Sequence, residues 1–303
     1  MNIGSIIQAR EGSSRLSNKA TIDICGKPAL QRVIERVKAA KKLDYIIVAT
    51  TTNKNDDIIE EMCKQNGVNC FRGSEENVLD RVLKAAQKFN IDIIVEITAD
   101  CPLIDWNHID ALIEMHINTF LGQDINLDAE LFDMTTNIAS RTFPRGYDIR
   151  IFNREALERA EKEVDNDIDR QHVSTWMYLN PNGKKNYKVQ NWDAPCEQFR
   201  PDIEVTLDTP EDLELIRWLY GFESQGYNLA LTCQEVINLI NTYPGQYEKV
   251  SKIKRKDYFE ELKETYNNPA PKQEGASQNE EISSDNNRSR EARKRGRPPG
   301  KRK

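Results

Sequence analysis

Several features that mark common classes of protein are missing from this 303-residue chain. No apolar run approaches the ~18 residues that a membrane-spanning helix needs. The N-terminus begins directly with strand-like sequence and lacks a basic stretch followed by an apolar core, so we expect no signal peptide. No GxGxxG motif follows the first apolar stretch, and Gly26-Lys27 precedes Pro28 without the upstream glycine of a P-loop. We therefore expect neither a membrane protein, nor a dinucleotide-binding Rossmann domain, nor a P-loop enzyme.

Cysteine and histidine offer no metal-binding pattern. The six cysteines are scattered, without a CxxC pair and without a histidine at metal-ligand spacing. Such a chain is expected to be cytoplasmic, with reduced thiols.

The net charge of −6 conceals an uneven distribution. Residues 288–303 carry nine Lys or Arg and one Glu, a net charge of +8, so residues 1–287 carry −14. An acidic body argues against nucleic acid or an anionic membrane surface as the main partner.

The chain is organised around its first strand and the loop that follows it. Ile3–Ile7 is an apolar run typical of a buried strand, and the next residues include Arg10, Gly12, Arg15 and Lys19. Backbone N–H groups in such a loop form an anion-binding concavity, and Arg and Lys add charge-assisted contacts. A phosphate-binding loop and a plain basic surface loop are both consistent with this spacing.

Apolar strands alternate with amphipathic helices through the first third of the chain. The patterns predict helices over 28–40, 56–65 and 78–89 and strands over 45–50, 68–71 and 91–97. Continuous apolar strands alternating with helices indicate an α/β fold, a three-layer αβα arrangement with a mostly parallel sheet. Further on, the patterns predict helices over 106–120, 154–164 and 211–220, and a strand and turn over 205–210.

Two aspartates follow predicted strands. Asp100 comes directly after the strand at 91–97, and Asp208 lies in the strand and turn at 205–210. Ligands bind beyond the carboxyl ends of parallel strands, so these side chains should face the same crevice as the basic loop. Carboxylates hold divalent metals, although a loop aspartate is also a common turn or cap residue.

Seven sequence blocks then reveal a resemblance: IIQAREGSSRLSNK, CGKPAL, VIERVKAA, LDYIIVATT, FRGSEENVLDRVLKAA, EITADCPLID and TLDTPEDLELI. In this order they resemble the spore coat polysaccharide biosynthesis family, which is similar to the 3-deoxy-manno-octulosonate and acylneuraminate cytidylyltransferases. The resemblance covers about residues 2–220. It implies a glycosyltransferase-A-like nucleotidyltransferase fold and transfer of CMP from CTP to a sugar or sugar acid with release of pyrophosphate. It also implies Mg²⁺ as cofactor and a homodimer that pairs through about residues 124–164.

The resemblance assigns roles to individual residues. It implies that the nucleotide is bound by Ala9, Arg10, Gly12, Ser13, Arg15, Lys19, Arg72, Ser74 and Asp100, with Arg10, Arg15 and Lys19 on the triphosphate. Asp100 and Asp208 match the two metal-binding aspartates. The acceptor would be bound by Arg145, Asp148, Arg150, Gln171 and His172. Attack by the acceptor oxygen on the α-phosphorus needs positioning and charge stabilisation rather than a protein nucleophile.

Two residues depart from the family pattern. Arg150 and Gln171 each stand where the family usually has Glu. An acceptor with an additional negative charge would account for both substitutions, and so would a weakened active site. His172 fits a general base, a group that orients the acceptor, or a buried histidine with satisfied hydrogen bonds.

Composition changes near the C-terminus. We predict a nucleotidyltransferase domain over 1–245, a helical extension over 246–266, a flexible linker over 267–287 and a basic, disordered C-terminal tail over 288–303. The Arg-Gly-Arg-Pro core within 293–303 resembles an AT-hook, which inserts into the minor groove of A·T-rich DNA; a generic solvated basic tail is the alternative. A DNA-associated protein with a scaffold catalytic domain is thus a second hypothesis. A glycosyltransferase is a third, although its Asp-x-Asp motif is not in the right place.

Overall fold

The structure is a computed structural model that describes residues 1–12, 16–120, 132–179, 186–224 and 231–255. The predicted site residues Ser13 and Arg15, the linker and the basic tail lie outside the described residues. The proposed boundary at residue 245 stays a prediction. Within the described ranges, every helix is too short or too polar to cross a membrane.

The strands in chain order are β1 (Ile3–Gln8), β2 (Asp23–Ile24), β3 (Lys27–Pro28), β4 (Tyr45–Thr51), β5 (Asn69–Gly73), β6 (Ile93–Thr98), β7 (Met134–Thr136), β8 (Arg150–Asn153) and β9 (Val189–Asn191). The α-helices are α1 (Ala29–Lys38), α2 (Asp57–Gln65), α3 (Val78–Lys88), α4 (Trp106–Phe120), α5 (Arg154–Glu163), α6 (Asp167–His172), α7 (Thr175–Tyr178), α8 (Pro210–Ser224), α9 (Cys233–Thr242) and α10 (Pro244–Ser251).

Seven of the described strands form one mostly parallel sheet, in the order β5-β4-β1-β6-β8-β7-β9. β5, β4, β1 and β6 are parallel to one another. β8 is antiparallel to both of its neighbours, whereas β7 and β9 pair in parallel. The predicted α/β fold with a mostly parallel sheet is confirmed. Because parallel strands end at one edge, the loops after β1, β4, β5 and β6 meet there.

Helices cover both faces of the sheet. On one face, α1, α2 and α4 pack Leu30, Ile59 and Leu112 against Val48 and Val95. On the other face, α3 and α5 pack Val82 and Leu157 against Ile6, Ile47 and Phe152. A third apolar cluster joins α8, α9 and α10 to the chain segment 203–207. The sheet is thus the middle of three layers, as the sequence pattern predicted, and α8–α10 add a further packing unit beside it.

The segment 205–210 was predicted as a strand and turn, and its strand is wrong. The structure has only an isolated parallel bridge between Arg145 and Glu204. The backbone N–H of Leu207 then bonds to the carbonyl of Asp100 at 2.8 Å, and α8 begins at Pro210. After the bridge at Glu204, the segment therefore contacts the loop after β6 instead of continuing as a strand. An apolar sequence pattern cannot reveal such a long-range contact. The short strands β7 and β9 were also not predicted.

Candidate active site

The loop after β1 is anchored to the connection after β4. The Ala9 N–H donates to the Ala49 carbonyl at 3.2 Å, and the Glu11 N–H donates to Asp56 Oδ1 at 2.8 Å. The other carboxylate oxygen of Asp56 accepts hydrogen bonds from the backbone and hydroxyl of Thr51. Asp56 directly precedes α2, but its side chain makes no cap hydrogen bond and instead fixes the start of the basic loop.

A cleft of about 530 Å³ opens at this edge of the sheet. That volume lies within the range of small-molecule sites. Eight residues predicted to bind nucleotide, metal or acceptor line it: Ala9, Arg10, Gly12, Lys19, Asp100, Gln171, His172 and Asp208.

One ammonium group joins the two predicted metal-binding aspartates. Lys19 Nζ lies 2.8 Å from Asp208 Oδ1 and 3.4 Å from Asp100 Oδ2. Burial acts to lower the pKa of Lys19, but the two aspartates outweigh it and raise that pKa. Burial acts to raise the pKa of Asp100, whereas Lys19 and nearby hydrogen bonds hold it below its ordinary value. Lys19 and Asp100 are therefore both charged at neutral pH.

The backbone of Asp208 is held by a helix cap. Thr209 is the N-cap of α8, and its hydroxyl accepts a hydrogen bond from the Asp212 N–H at 3.3 Å. Asp212 Oδ2 in turn accepts from the backbone N–H groups of Asp208 and Thr209 at 3.0 and 2.8 Å. This reciprocal arrangement is a capping box with Asp at the third helical position. Together with the bond from Leu207 to Asp100, it fixes one aspartate relative to the other.

The donor set suits Mg²⁺ better than zinc. In the described part of the chain, no group of three or more His, Cys, Asp or Glu side chains is arranged to hold a metal. Mg²⁺ is commonly bound through one or two carboxylates together with substrate phosphates and water. Asp100 and Asp208 converge on one cation, the Lys19 ammonium, and so meet that requirement.

Sequence reasoning missed part of the cleft wall. The additional lining residues are Gln8, Ala20, Glu75, Val78, Arg81, Thr98 and Ala99. Arg81 is almost fully buried in the first turn of α3, and its Nη1 donates to the Ser74 carbonyl at 2.5 Å. Burial and the neighbouring Arg10 cation lower the pKa of Arg81 to about 10. Arg81 could have been selected from the sequence because it is a cation near the start of a helix that begins at the ligand-binding edge of the sheet.

Two of the predicted nucleotide-binding residues, Arg72 and Ser74, contact other parts of the protein instead. The guanidinium of Arg72 lies 2.6 Å from Asp57 and 3.1 Å from Glu60, both on α2. The hydroxyl of Ser74 accepts a hydrogen bond from the Asn77 N–H at 3.0 Å, just before α3. Neither residue is among those that line the cleft. Their contribution to nucleotide binding stays a prediction.

The predicted acceptor residues divide into two sets. Gln171 and His172, at the end of α6, line the cleft. Asp148 instead forms a two-fold ion pair with Arg141, with both oxygens 2.8 Å from the guanidinium nitrogens. Arg145 lies 3.9 Å from Glu204. Neither Asp148 nor Arg145 is among the residues that line the cleft, so their contact with the acceptor stays a prediction.

His172 is presented by a tight turn. Val173 has a φ of +55°, which is rare for a β-branched residue, and the Ser174 N–H bonds back to the His172 carbonyl at 2.7 Å. Backbone strain of this kind clusters at functional sites. Burial and the Arg150 cation lower the pKa of His172 below its ordinary value. The ring is therefore neutral at physiological pH.

The structure gives Arg150 a partner inside the protein. Its Nη1 lies 3.8 Å from Oε1 of Glu96, a β6 residue with only 2% of its side chain exposed. Glu96 also accepts hydrogen bonds from Ser174 Oγ at 2.6 Å and Gln8 Nε2 at 2.7 Å. A glutamate at position 150 would place a second carboxylate beside the buried Glu96. The arginine that stands there instead balances the charge of Glu96. Gln171 is the departure that faces the cleft.

A mostly parallel sheet, a basic loop after its first strand and two carboxylates converging on one cation define a nucleotidyltransferase. Comparisons with known proteins agree. The sequence profile of the cytidylyltransferase family matches residues 5–264. The chain therefore belongs to the cytidylyltransferase family, enzymes that use CTP, as the sequence resemblance predicted.

Individual relatives support this assignment. The spore coat polysaccharide biosynthesis protein SpsF of Bacillus subtilis is 32% identical over 244 residues, which cover 79% of this chain and 94% of SpsF. The 3-deoxy-manno-octulosonate cytidylyltransferase of Francisella tularensis subsp. novicida is 38% identical over 120 residues, 39% of this chain and 47% of that protein. A solved cytidylyltransferase structure from Leptospira borgpetersenii serovar Hardjo-bovis is 31% identical with a TM-score of 0.71, covering 85% of this chain and 100% of that one.

Proposed function

We propose that this enzyme transfers CMP from CTP to a hydroxyl group of a sugar or sugar acid and releases pyrophosphate. The observation that carries the proposal is the meeting of Lys19, Asp100 and Asp208 in a cleft that Arg10 and Gly12 also line. Phosphoryl-type transfer depends on such positioning and charge stabilisation. The names of the Francisella and Bacillus relatives support a sugar acid or another polysaccharide precursor as acceptor.

The cations would hold the triphosphate. Arg10 and Lys19 line the cleft beside Arg81, and the predicted contributions of Ser13 and Arg15 fall outside the described residues. Cations around the β- and γ-phosphates stabilise the negative charge that builds up on the departing pyrophosphate. In this proposal the acceptor oxygen forms a bond to the α-phosphorus, the bond from that phosphorus to the α,β-bridging oxygen breaks, and the hydroxyl proton is lost to the medium.

Asp100 and Asp208 would hold Mg²⁺. When bound there, the ion would neutralise phosphate charge and increase the acidity of the acceptor hydroxyl. Lys19 keeps the two carboxylates together without a metal, and its ammonium would then be free to contact a phosphate. On the acceptor side, Gln171 and the neutral His172 ring can supply hydrogen bonds to sugar hydroxyls.

A transfer assay tests the proposal. CTP labelled at the α-phosphorus is incubated with Mg²⁺ and a panel of sugar acids and neutral sugars, and the label is followed into an acceptor while pyrophosphate is measured. We expect equal amounts of both products, and their loss in Asp100→Ala. Asp110→Ala is the matched control, since this α4 aspartate accepts hydrogen bonds from the backbone of Lys41 and Lys42 and does not line the cleft. Full activity of Asp100→Ala would overturn the site assignment.

Two finer properties belong to the same proposal. We propose a cytoplasmic homodimer, on the basis of the scattered cysteines and the family resemblance. Sedimentation equilibrium with full-length protein tests the dimer, and a purely monomeric species would contradict it. The AT-hook-like segment at 293–303 lies outside the described residues, and no observation favours a DNA-associated function.

A further inference from the structure

We propose that Arg255, close to the end of the described chain, is a positioning residue for the Asp208 carboxylate. The inference rests on the proposed function, because it concerns the same metal and nucleotide site. Arg255 follows α10, more than forty residues after Asp208 in sequence. It does not line the cleft, so its effect would pass through the residues it contacts.

The guanidinium of Arg255 lies close to three carboxylates. Arg255 donates to both oxygens of Asp212, at 2.5 and 3.2 Å, and its Nε lies 2.8 Å from Glu204 Oε2. Its Nη1 lies 3.7 Å from Asp208 Oδ2. Only 15% of the Arg255 side chain is exposed. The cation therefore sits among carboxylates placed four residues before and four residues after Asp208.

The contact with Asp212 reaches the backbone of Asp208. Asp212 is only 1% exposed, and its Oδ2 accepts the N–H of Asp208 at 3.0 Å. A buried carboxylate without a cation is costly, and it tends to move toward water. Arg255 supplies that cation through two hydrogen bonds, so it holds Asp212 in place as the acceptor for the Asp208 N–H.

The contact with Glu204 fixes the other end of the same segment. Glu204 Oε1 accepts a hydrogen bond from the Thr206 hydroxyl at 2.9 Å. The hydroxyl of Tyr247, on α10, accepts the Glu204 N–H at 2.7 Å and donates to the Asp202 carbonyl at 3.1 Å. Tyr247 and Arg255 thus tie α10 and the residues just after it to the chain on both sides of Asp208. Groups that orient a metal ligand change metal affinity or activity by about 10–100-fold when removed.

Metal-dependent stabilisation by CTP tests the inference without requiring turnover. The Tm of full-length protein is measured with CTP and EDTA, and then with CTP over a series of Mg²⁺ concentrations. In Arg255→Met we expect the Mg²⁺ concentration at half-maximal stabilisation to rise about 10-fold, with the shift in EDTA retained. Arg255→Lys keeps the charge but not the forked geometry, and should recover part of the loss. If Arg255→Met does not fold, the same measurement on Arg255→Lys decides, with a smaller rise expected.

Lys249→Met is the matched control. Lys249 is on α10, shortly before Arg255 in sequence, but it is 71% exposed and pairs with Glu214 on the surface. Its half-maximal Mg²⁺ concentration should equal that of the wild type. If the Mg²⁺ concentration at half-maximal stabilisation is unchanged or lower in both Arg255 variants, the positioning role is overturned, even if their Tm falls. Absence of any Mg²⁺-dependent stabilisation by CTP in the wild type would instead contradict the proposed function, and the inference with it.

Discussion

The ammonium of Lys19 lies 2.8 Å from the carboxylate of Asp208, a residue 189 positions further along the chain. The same nitrogen reaches Asp100 at 3.4 Å. The first loop of the protein is thereby joined to the loop after β6 and to the start of α8. This contact places the phosphate-binding and metal-binding halves of the proposed site beside one another.

Replacement of Lys19 should lower the activity and increase the effect of Mg²⁺ on the thermal stability. We expect Lys19→Met to lower kcat/KM for CTP by about 10²–10³-fold, the usual cost of removing one charge-stabilising donor. The variant would lack the cation that Asp100 and Asp208 share, so Mg²⁺ should raise its Tm more than it raises that of the wild type. Steady-state kinetics and thermal melts check both. Lys27→Met, which removes a pair with Glu35 away from the cleft, is the control. If Mg²⁺ raised the Tm of Lys19→Met and of the wild type by the same amount, the role of Lys19 in joining the two carboxylates would be contradicted.

Arg81 should contribute to CTP binding at the expense of stability. Its pKa of about 10, lowered by burial and Arg10, shows that its charge is unfavourable in the folded protein. Arg81→Met should weaken CTP binding by about 10-fold or more, since a charge-assisted contact is lost. The free energy of unfolding should stay close to that of the wild type or increase.

Calorimetric titration with CTP and urea unfolding measure the two quantities for Arg81→Met. Arg159→Met, which removes an exposed pair with Asp133, controls for the loss of an arginine. Unchanged CTP affinity would exclude Arg81 from the nucleotide site.

The Glu96–Arg150 pair should behave as a coupled unit. Arg150→Glu places a second carboxylate against buried Glu96 and should destabilise the protein by about 3–5 kcal/mol. Glu96→Gln combined with Arg150→Met removes both charges and should cost less than the sum of the two single changes. Urea unfolding of the four proteins in this cycle measures the coupling. Additive effects would show that the two charges do not interact.

The Arg141–Asp148 pair predicts a pH dependence of stability. Burial acts to raise the pKa of Asp148, but Arg141 and its hydrogen bonds bring it below the ordinary value. A carboxyl with a depressed pKa stabilises the fold fully above its unfolded pKa of about 3.9, and that contribution is lost as the pH falls through the folded value. Asp148→Asn should therefore cost about 2–3 kcal/mol at neutral pH.

The stability difference between wild type and Asp148→Asn should shrink below about pH 4. Urea unfolding over a pH series measures it, with Asp193→Asn as a control because that exposed carboxylate accepts a hydrogen bond from the neutral Asn191 side chain. A difference that stays constant down to the acid limit would contradict the assignment of the charge to Asp148.

Residue order alone determined the α/β class, the parallel strands and the location of the ligand-binding edge. Apolar periodicity is a local property, and the strand-helix alternation leaves few arrangements of the sheet. Lys19, Asp100 and Asp208 could be selected because each follows or lies beside a predicted strand or helix end. Even though the strand predicted within 205–210 was wrong, Asp208 in that segment was chosen from its sequence motif.

Only the tertiary structure decided which charged side chains meet. Arg72 lies near the end of β5, yet its guanidinium pairs with α2, whereas Arg81 from the next helix lines the cleft. Arg150 has a buried partner in Glu96, and Arg255 reaches the capping carboxylate of Asp212. These partners lie far apart in sequence, and a side chain's direction depends on the packing of whole elements. Periodicity therefore predicted the strands and helices, while the long-range ion pairs of the site came from the way these elements pack.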